Sequence, residues 1–169
     1  MKKIVSGDLS DEEMSLIMQA RNNLNKLGLY IDQSSSTNLR DIKVKCQKLH
    51  REGNLDLIVI DYLQLLTSGE NRMNRVEDVS RISRGLKEMA RMFGVPVVAL
   101  SQLSRELEKR EDKRPVLADL RESGSIEQDA DIVMFLHRET PKKDDGNPDT
   151  TRIVYSAKTE VIIAKNRQG

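Results

Sequence analysis

One cysteine, no tryptophan, three tyrosines and two phenylalanines are found among 169 residues. The single Cys46 excludes an intramolecular disulfide framework and a cysteine-based zinc site. So few aromatics argue against a base-stacking platform of the single-strand-binding kind. Neither sign of charge dominates: 28 Lys and Arg stand against 27 Asp and Glu, a formal +1. Net charge therefore points to neither a nucleic acid nor a membrane. No apolar run is long enough to span a bilayer, and Leu57-Ile58-Val59-Ile60 stops at Asp61. The opening Met1-Lys2-Lys3-Ile4-Val5-Ser6-Gly7 turns polar too soon for a signal peptide. The expectation is a soluble, cytoplasmic domain with no membrane partner. Among the nine glycines no pair forms G-x-x-x-x-G-K-[ST], so the chain carries no phosphate cradle of that kind. On that ground it should bind ATP weakly or not at all.

What is present is enough for one core, with 37% hydrophobic and 33% charged residues. Ser10-Asp11-Glu12-Glu13 is a capping box that starts a helix bearing Met14, Ile17, Leu24 and Leu27 and stopping at Gly28. Leu29-Tyr30-Ile31 is short and β-prone, and Asp32 to Ser36 is polar loop. Leu39, Ile42, Cys46 and Leu49 share one face of a second helix, with Cys46 read as core filler rather than reactive thiol. Asp56 to Ile60 lacks alternation, which predicts an inner parallel strand buried on both faces. After a polar loop from Ser68 to Asn74, Val76, Val79, Ile82, Leu86 and Met89 mark a strongly amphipathic helix ending near Gly94. Val95 to Leu100 and Ile132 to Leu136 read as two further buried strands. Ser101 to Gln128 reads as short helical turns joined by loops. Pro141 to Thr150 reads as a turn-rich excursion, and Arg152 to Ser156 with Glu160 to Ala164 as a closing hairpin. Strand and helix alternate, so the fold class is α/β: a mostly parallel sheet with helices on both faces.

Ligands of such sheets gather at the carboxyl ends of the strands. Four groups of residues follow the apolar runs: Asp61, Ser101-Gln102, His137-Arg138 and Lys165-Asn166-Arg167. A carboxylate at the tip of a buried strand suits a hydrated metal ion, as does the Mg²⁺-side acid of P-loop NTPases; it also suits a simple turn cap. Gln102 can donate to a γ-phosphate and accept from a water, or sit in a plain loop. Lys165 and Arg167 suit a phosphate, and from a subunit boundary Arg167 could reach a neighbour's nucleotide; a solvated basic end is the rival. Arg121-Glu122-Ser123-Gly124-Ser125 offers backbone amides and a guanidinium to a phosphate, or caps a helix. His50 and His137 are isolated, and Asp144-Asp145-Gly146-Asn147 lacks the spacing of a calcium loop.

Several runs, taken in order, resemble bacterial replicative DNA helicases of the DnaB type. They are Ile58-Val59-Ile60-Asp61-Tyr62-Leu63-Gln64-Leu65, Ala99-Leu100-Ser101-Gln102-Leu103-Ser104-Arg105, Asp112-Lys113-Arg114-Pro115, the stretch from Asp119 through Arg121-Glu122-Ser123-Gly124-Ser125 to Asp131, and Ile162-Ile163-Ala164-Lys165-Asn166-Arg167. The similarity runs from about Ser10 to Gly169, and the Arg121 to Asp131 run is its most specific part. It separates the chain from recombinases of the RecA class. The resemblance implies a RecA-like motor that forms a ring hexamer on single-stranded DNA, moves 5′-to-3′ on ATP and Mg²⁺, and works with primase and a loader. It implies the Walker B acid for Asp61, which would hold the Mg²⁺, and the γ-phosphate-coupled residue for Gln102. Lys165 and Arg167 would be offered in trans to the neighbour's nucleotide, with Arg167 as the finger. Arg121, Glu122 and Gly124 would lie in the loop that grips DNA.

Measured against that family, the primase-binding domain, the Walker A strand and helix and the catalytic-glutamate segment have no counterpart here. The expectation is thus one partial domain over 1–169, an incomplete sheet lacking the phosphate-loop strand, with open strand edges and an exposed apolar face. Alone it should bind no cofactor and show no ATPase. The alternative is a non-catalytic interaction module that binds helicase subunits or replication partners.

Overall fold

The computed structural model describes residues 2–33, 38–69, 74–138 and 158–169, without the side chains of 2 and 121–123. Its contacts divide the chain into two compact units, Met1–Ser35 and Ser36–Gly169.

The first unit holds α1 (Lys2–Ser6) and α2 (Asp11–Asn25). Both halves of the capping box are formed: the Ser10 hydroxyl accepts from the Glu13 amide at 3.2 Å, and the Glu13 carboxylate accepts from the Ser10 amide at 3.0 Å. Lys3 bridges to Glu13 at 2.7 Å. That ammonium, then the Ser10 amide, holds the Glu13 carboxyl below its ordinary value. The helix ends on Lys26 rather than at Gly28, and it buries no residue: Met14, Leu24 and Leu27 are all exposed. Leu29-Tyr30-Ile31 forms no strand, because no partner strand lies alongside it among the described residues.

The second unit is built on α3 (Leu39–Arg51), β1 (Ile58–Ile60), α4 (Arg75–Phe93) and β2 (Val97–Ala99). β1 and β2 pair in parallel, with Ile58 opposite Val97 and Ile60 opposite Ala99, and α4 makes the crossover between them. Asn74 caps α4 by accepting from the Glu77 amide at 2.9 Å. Gly94 stops the helix at φ 66°, a left-handed conformation that a Cβ disfavours. The predicted stripe is the buried one: Val79, Ile82, Leu86 and Met89 are buried, joined by Ser83 and Phe93, whereas Val76 is exposed. Cys46 from α3, Ile58 and Ile60 from β1, and Leu63 and Leu66 complete this core, with Leu39 and Ile42 packed against it. Burial pushes the Cys46 thiol up, in keeping with core filler. The His50 ring meets Phe93 at 5.3 Å.

Downstream come 3₁₀ turns at Arg105–Lys109 and Leu117–Ser123, then α5 (Gly124–Asp129), as the sparse apolar pattern predicts. β3 (Ile132–Arg138) follows and pairs with β4 (Thr159–Asn166), antiparallel. Leu120, Val133 and Phe135 form a second small core.

Two expectations need correction. The sheet is not one parallel array: among the described residues, β1–β2 and β3–β4 are separate two-stranded ladders. Nor are the strands buried on both faces. Successive strand residues point to opposite sides, and helices cover only one of them. Ile58 and Ile60 are buried while Val59 is exposed; Val133 and Phe135 are buried while Met134 and Leu136 are exposed. The partner expected for β4, Arg152 to Ser156, and the excursion at Pro141 to Thr150 lie outside the described residues.

Candidate functional site

Parallel pairing fixes the first pair of candidate residues. Because β1 and β2 run the same way in register, the residues just past their carboxyl ends emerge at one edge. Those residues are Asp61 and Ser101-Gln102. The chain does not splay there: Leu100 donates its amide to the Ile60 carbonyl at 2.9 Å, and Leu63 donates to the Leu100 carbonyl at 2.9 Å. Asp61 then enters a 3₁₀ turn at Leu63–Leu65 through a cis peptide to Tyr62.

Gln64, on that turn, is bonded to the β2 tip. Its side-chain Nε2 donates to Ser101 Oγ at 3.0 Å and to the Gln102 carbonyl at 3.3 Å, and its Oε1 accepts from the Gln102 amide at 3.1 Å. Both functional groups remain available. The Asp61 carboxylate and the Gln102 side-chain amide are exposed and make no hydrogen bond or ion pair among the described residues. A free carboxylate beside a free amide fits the metal and terminal-phosphate end of a nucleotide, since Mg²⁺ is commonly held by one or two carboxylates together with substrate phosphates. No cluster of three or more His, Cys, Asp or Glu residues that could hold a metal ion occurs among the described residues. Such an ion would depend on Asp61 and on the phosphates themselves.

The second pair belongs to the other ladder. β4 is antiparallel to β3, with Ile132 opposite Asn166, so Lys165 and Arg167 sit where β3 begins. His137 and Arg138 close β3 at the other end, which corrects the expectation that all four groups share one carboxyl edge. Lys165 donates its ammonium to the carbonyls of Glu127 and Ala130, the latter at 2.8 Å. Arg167 donates to the Gln128 carbonyl at 2.7 Å, pairs with Asp131 at 3.3 Å, and gives its backbone amide to the Asp131 carbonyl at 2.9 Å. These are the carbonyls left over at the carboxyl end of α5, where cations are favoured. Asp131 also accepts from Lys87 of α4. The Lys87 ammonium above all, with help from Arg167 and Arg91, holds the Asp131 carboxyl below its ordinary value.

The family profile of the DnaB-like helicase C-terminal domain matches residues 1–169. The chain belongs to that family. A replicative DNA helicase DnaB from Geobacillus stearothermophilus is 48% identical over 165 residues, covering 97% of this chain and 35% of the relative. A replicative DNA helicase DnaC from Bacillus subtilis (strain 168) is 47% identical, again over 97% and 35%. The chain thus spans about a third of the length of these relatives. Among solved structures, one ATPase domain superposes with a TM-score of 0.84 at 38% identity, over 99% of this chain and 58% of that one. A DnaB-like replicative helicase whose structure was determined with its primase interactions in view reaches 0.80 at 39% identity, over 96% of this chain and 38% of that one. The α/β, RecA-like class read from the sequence is therefore correct.

In this DnaB-like domain the Arg121-Glu122-Ser123-Gly124-Ser125 run is not a loop. It ends a 3₁₀ turn and opens α5, and Gly124 has ordinary helical backbone, so its freedom goes unused. The side chains of Arg121 and Glu122 lie outside the described residues. Just before them, Asp119 is buried, accepting from Arg110 at 2.7 Å and from the Val116 amide at 2.8 Å. Sequence reading passed over Asp119, Asp131 and Gln64. All three stood in the quoted runs; the side-chain partners of Gln64 and Asp131 lie 36 to 44 residues away along the chain, too far for spacing to reveal, whereas those of Asp119 lie 3 and 9 residues away. Among the described residues no helix is long and apolar enough to cross a membrane.

Proposed function

We propose that this chain is part of the motor of a ring-forming replicative helicase, coupling ATP hydrolysis to 5′-to-3′ movement on single-stranded DNA. The observation that supports it best is the free Asp61 carboxylate beside the free Gln102 amide at the shared carboxyl edge of a parallel pair. In the assembled motor Asp61 would hold Mg²⁺, which supplies charge neutralisation at the phosphates. Gln102 reads the presence of the terminal phosphate and passes it to the segment that leads, through Ser104 and Asp119, toward Arg121, Glu122 and Gly124. Those three contact the DNA backbone, and six copies of a few contacts suffice without a basic surface overall. Lys165 and Arg167 serve the neighbouring subunit's nucleotide. Primase, a loader and further helicase subunits are the partners.

The chain is read as one partial domain. It carries no G-x-x-x-x-G-K-[ST] cradle, so alone it binds no nucleotide productively and hydrolyses none. Phosphate release from ATP by the purified chain, with and without single-stranded DNA, is expected at background. DNA-stimulated turnover would contradict this.

A second reading is favoured by one observation, the exposed apolar face formed by Met134, Leu136, Val161 and Ile163. Such a face suits a non-catalytic module that binds helicase subunits or replication partners. Titrating the chain into a full-length DnaB-family ring separates the two. A binding module lowers unwinding at substoichiometric ratios, and a motor fragment lacking that role leaves it unchanged.

A further inference from the structure

Asp61 and Gln102 stand on different strand tips, and something must hold the second at a fixed distance from the first. The two ladder bonds at Leu100 and Leu63 end one residue short of Ser101 and two short of Gln102. Beyond them the β2 tip has no strand neighbour among the described residues. Gln64 supplies the missing bonds: its primary amide gives one donor and one acceptor to the Gln102 backbone, as an adjacent strand would, and a second donor bond to Ser101 Oγ. Only a Gln or Asn side chain carries a donor and an acceptor in this geometry. Gln64 is itself anchored. Arg75, at the first turn of α4, donates to the Gln64 carbonyl at 2.6 Å and to the Leu66 carbonyl at 3.3 Å, and pairs with Asp78 at 3.3 Å. All of these bonds leave the Gln102 side chain unengaged.

We propose that Gln64 is the positioning residue for Gln102: it clamps the backbone at the β2 tip to the turn that carries Asp61, leaving the Gln102 side chain free to face a phosphate. This deepens the motor reading and rests on it for the phosphate, while the clamp itself rests on bonds within this chain. The clamp adds a side-chain link between the two tips to the ladder bonds at Leu100 and Leu63.

Two measurements test it. The first is amide hydrogen exchange on the intact chain. In Gln64→Ala the Gln102 amide should exchange roughly tenfold faster, the loss expected for a partly exposed hydrogen bond, while the Leu100 amide keeps its wild-type rate. Gln64→Glu keeps an acceptor for the Gln102 amide but sets a carboxylate oxygen against the Gln102 carbonyl, so it should restore that protection only in part. An unchanged Gln102 rate in Gln64→Ala overturns the proposal. So does equal acceleration at Leu100, which would make Gln64 a general support of the fold. The second measurement grafts this chain in place of the matching segment of the Geobacillus stearothermophilus relative and follows phosphate release from ATP. Gln64→Ala should lower kcat by about tenfold with KM within about twofold, and Gln64→Glu should recover part of it. If Gln102→Ala lowers kcat and Gln64→Ala does not, the positioning role fails while the motor reading stands. If Gln102→Ala is itself silent, the phosphate-sensing role fails, and exchange alone decides the clamp.

Discussion

At the residue scale, what distinguishes the two candidate pairs is whether their polar groups are already engaged. Asp61 and Gln102 present free groups at an edge, whereas Lys165 and Arg167 spend theirs on α5 carbonyls and Asp131. A cation so engaged must leave its partners before it can reach a neighbour's phosphate, or share them. In the proposed motor, Asp131 and the Gln128 carbonyl would together hold Arg167 back. The Asp131 carboxyl lies below the ordinary 3.8, chiefly because of Lys87, so its pairs are complete above that value and are lost as pH falls through the depressed one. Both partners are partly exposed, so the effect on stability is small and screened by salt. Carboxyl-carbon titration by NMR should give an Asp131 midpoint below 3.8, moving upward in Lys87→Met. A Lys87→Met midpoint equal to wild type would remove the Lys87 pair from the account. The residue types and their order were legible in the sequence, since an acid or an amide directly after an apolar run can be read by eye. The engagement of Lys165 and Arg167 was not, because it depends on β4 running against β3, a pairing no local spacing encodes.

At the scale of elements, α4 is the best-specified piece. Its stripe and its stop were read from the sequence and are realised as buried residues and a left-handed Gly94, while the Asn74 cap lay in what was read as loop. Ile82 is 0% exposed at the centre of the larger core. Ile82→Ala should cost about 2–5 kcal/mol in urea unfolding, the range for a deleted core side chain. Gly94→Ala should cost about 1 kcal/mol, because φ 66° favours glycine. A neutral result for either would show that the helix does not carry the fold as described. α2 shows the opposite balance. Its capping box was legible and forms, yet Met14 and Leu24 stay exposed and Ile17 is only half-buried, because periodicity says only that a face could be buried and not that a partner is there. The short β-prone run at Leu29-Tyr30-Ile31 fails for the same reason: a strand needs a neighbour to bond.

At the scale of the molecule, the apolar runs read as doubly buried strands are covered on one side. Met134 faces Ile163 and Leu136 faces Val161 across the β3–β4 ladder, and all four are exposed, Leu136 at 72%. The continuous apolarity was read as two-sided burial, whereas one side of each strand is uncovered; the proposal that the sheet is incomplete would account for the difference. Left open, that face should drive association. Light scattering is expected to show a mass rising with concentration, and Leu136→Lys with Ile163→Lys should suppress the rise while leaving the helical signal unchanged. A concentration-independent monomer in the wild-type chain would contradict this.

The claim on which the rest depends is that Asp61 marks the nucleotide-facing edge of a helicase motor. Grafted in place of the matching 165 residues of the Geobacillus stearothermophilus relative, this chain should support DNA-stimulated phosphate release. The same graft carrying Asp61→Asn, a near-isosteric loss of one charge, should lose it by about a hundredfold or more. Turnover by the Asp61→Asn graft equal to that of the unsubstituted graft would contradict the account at its root.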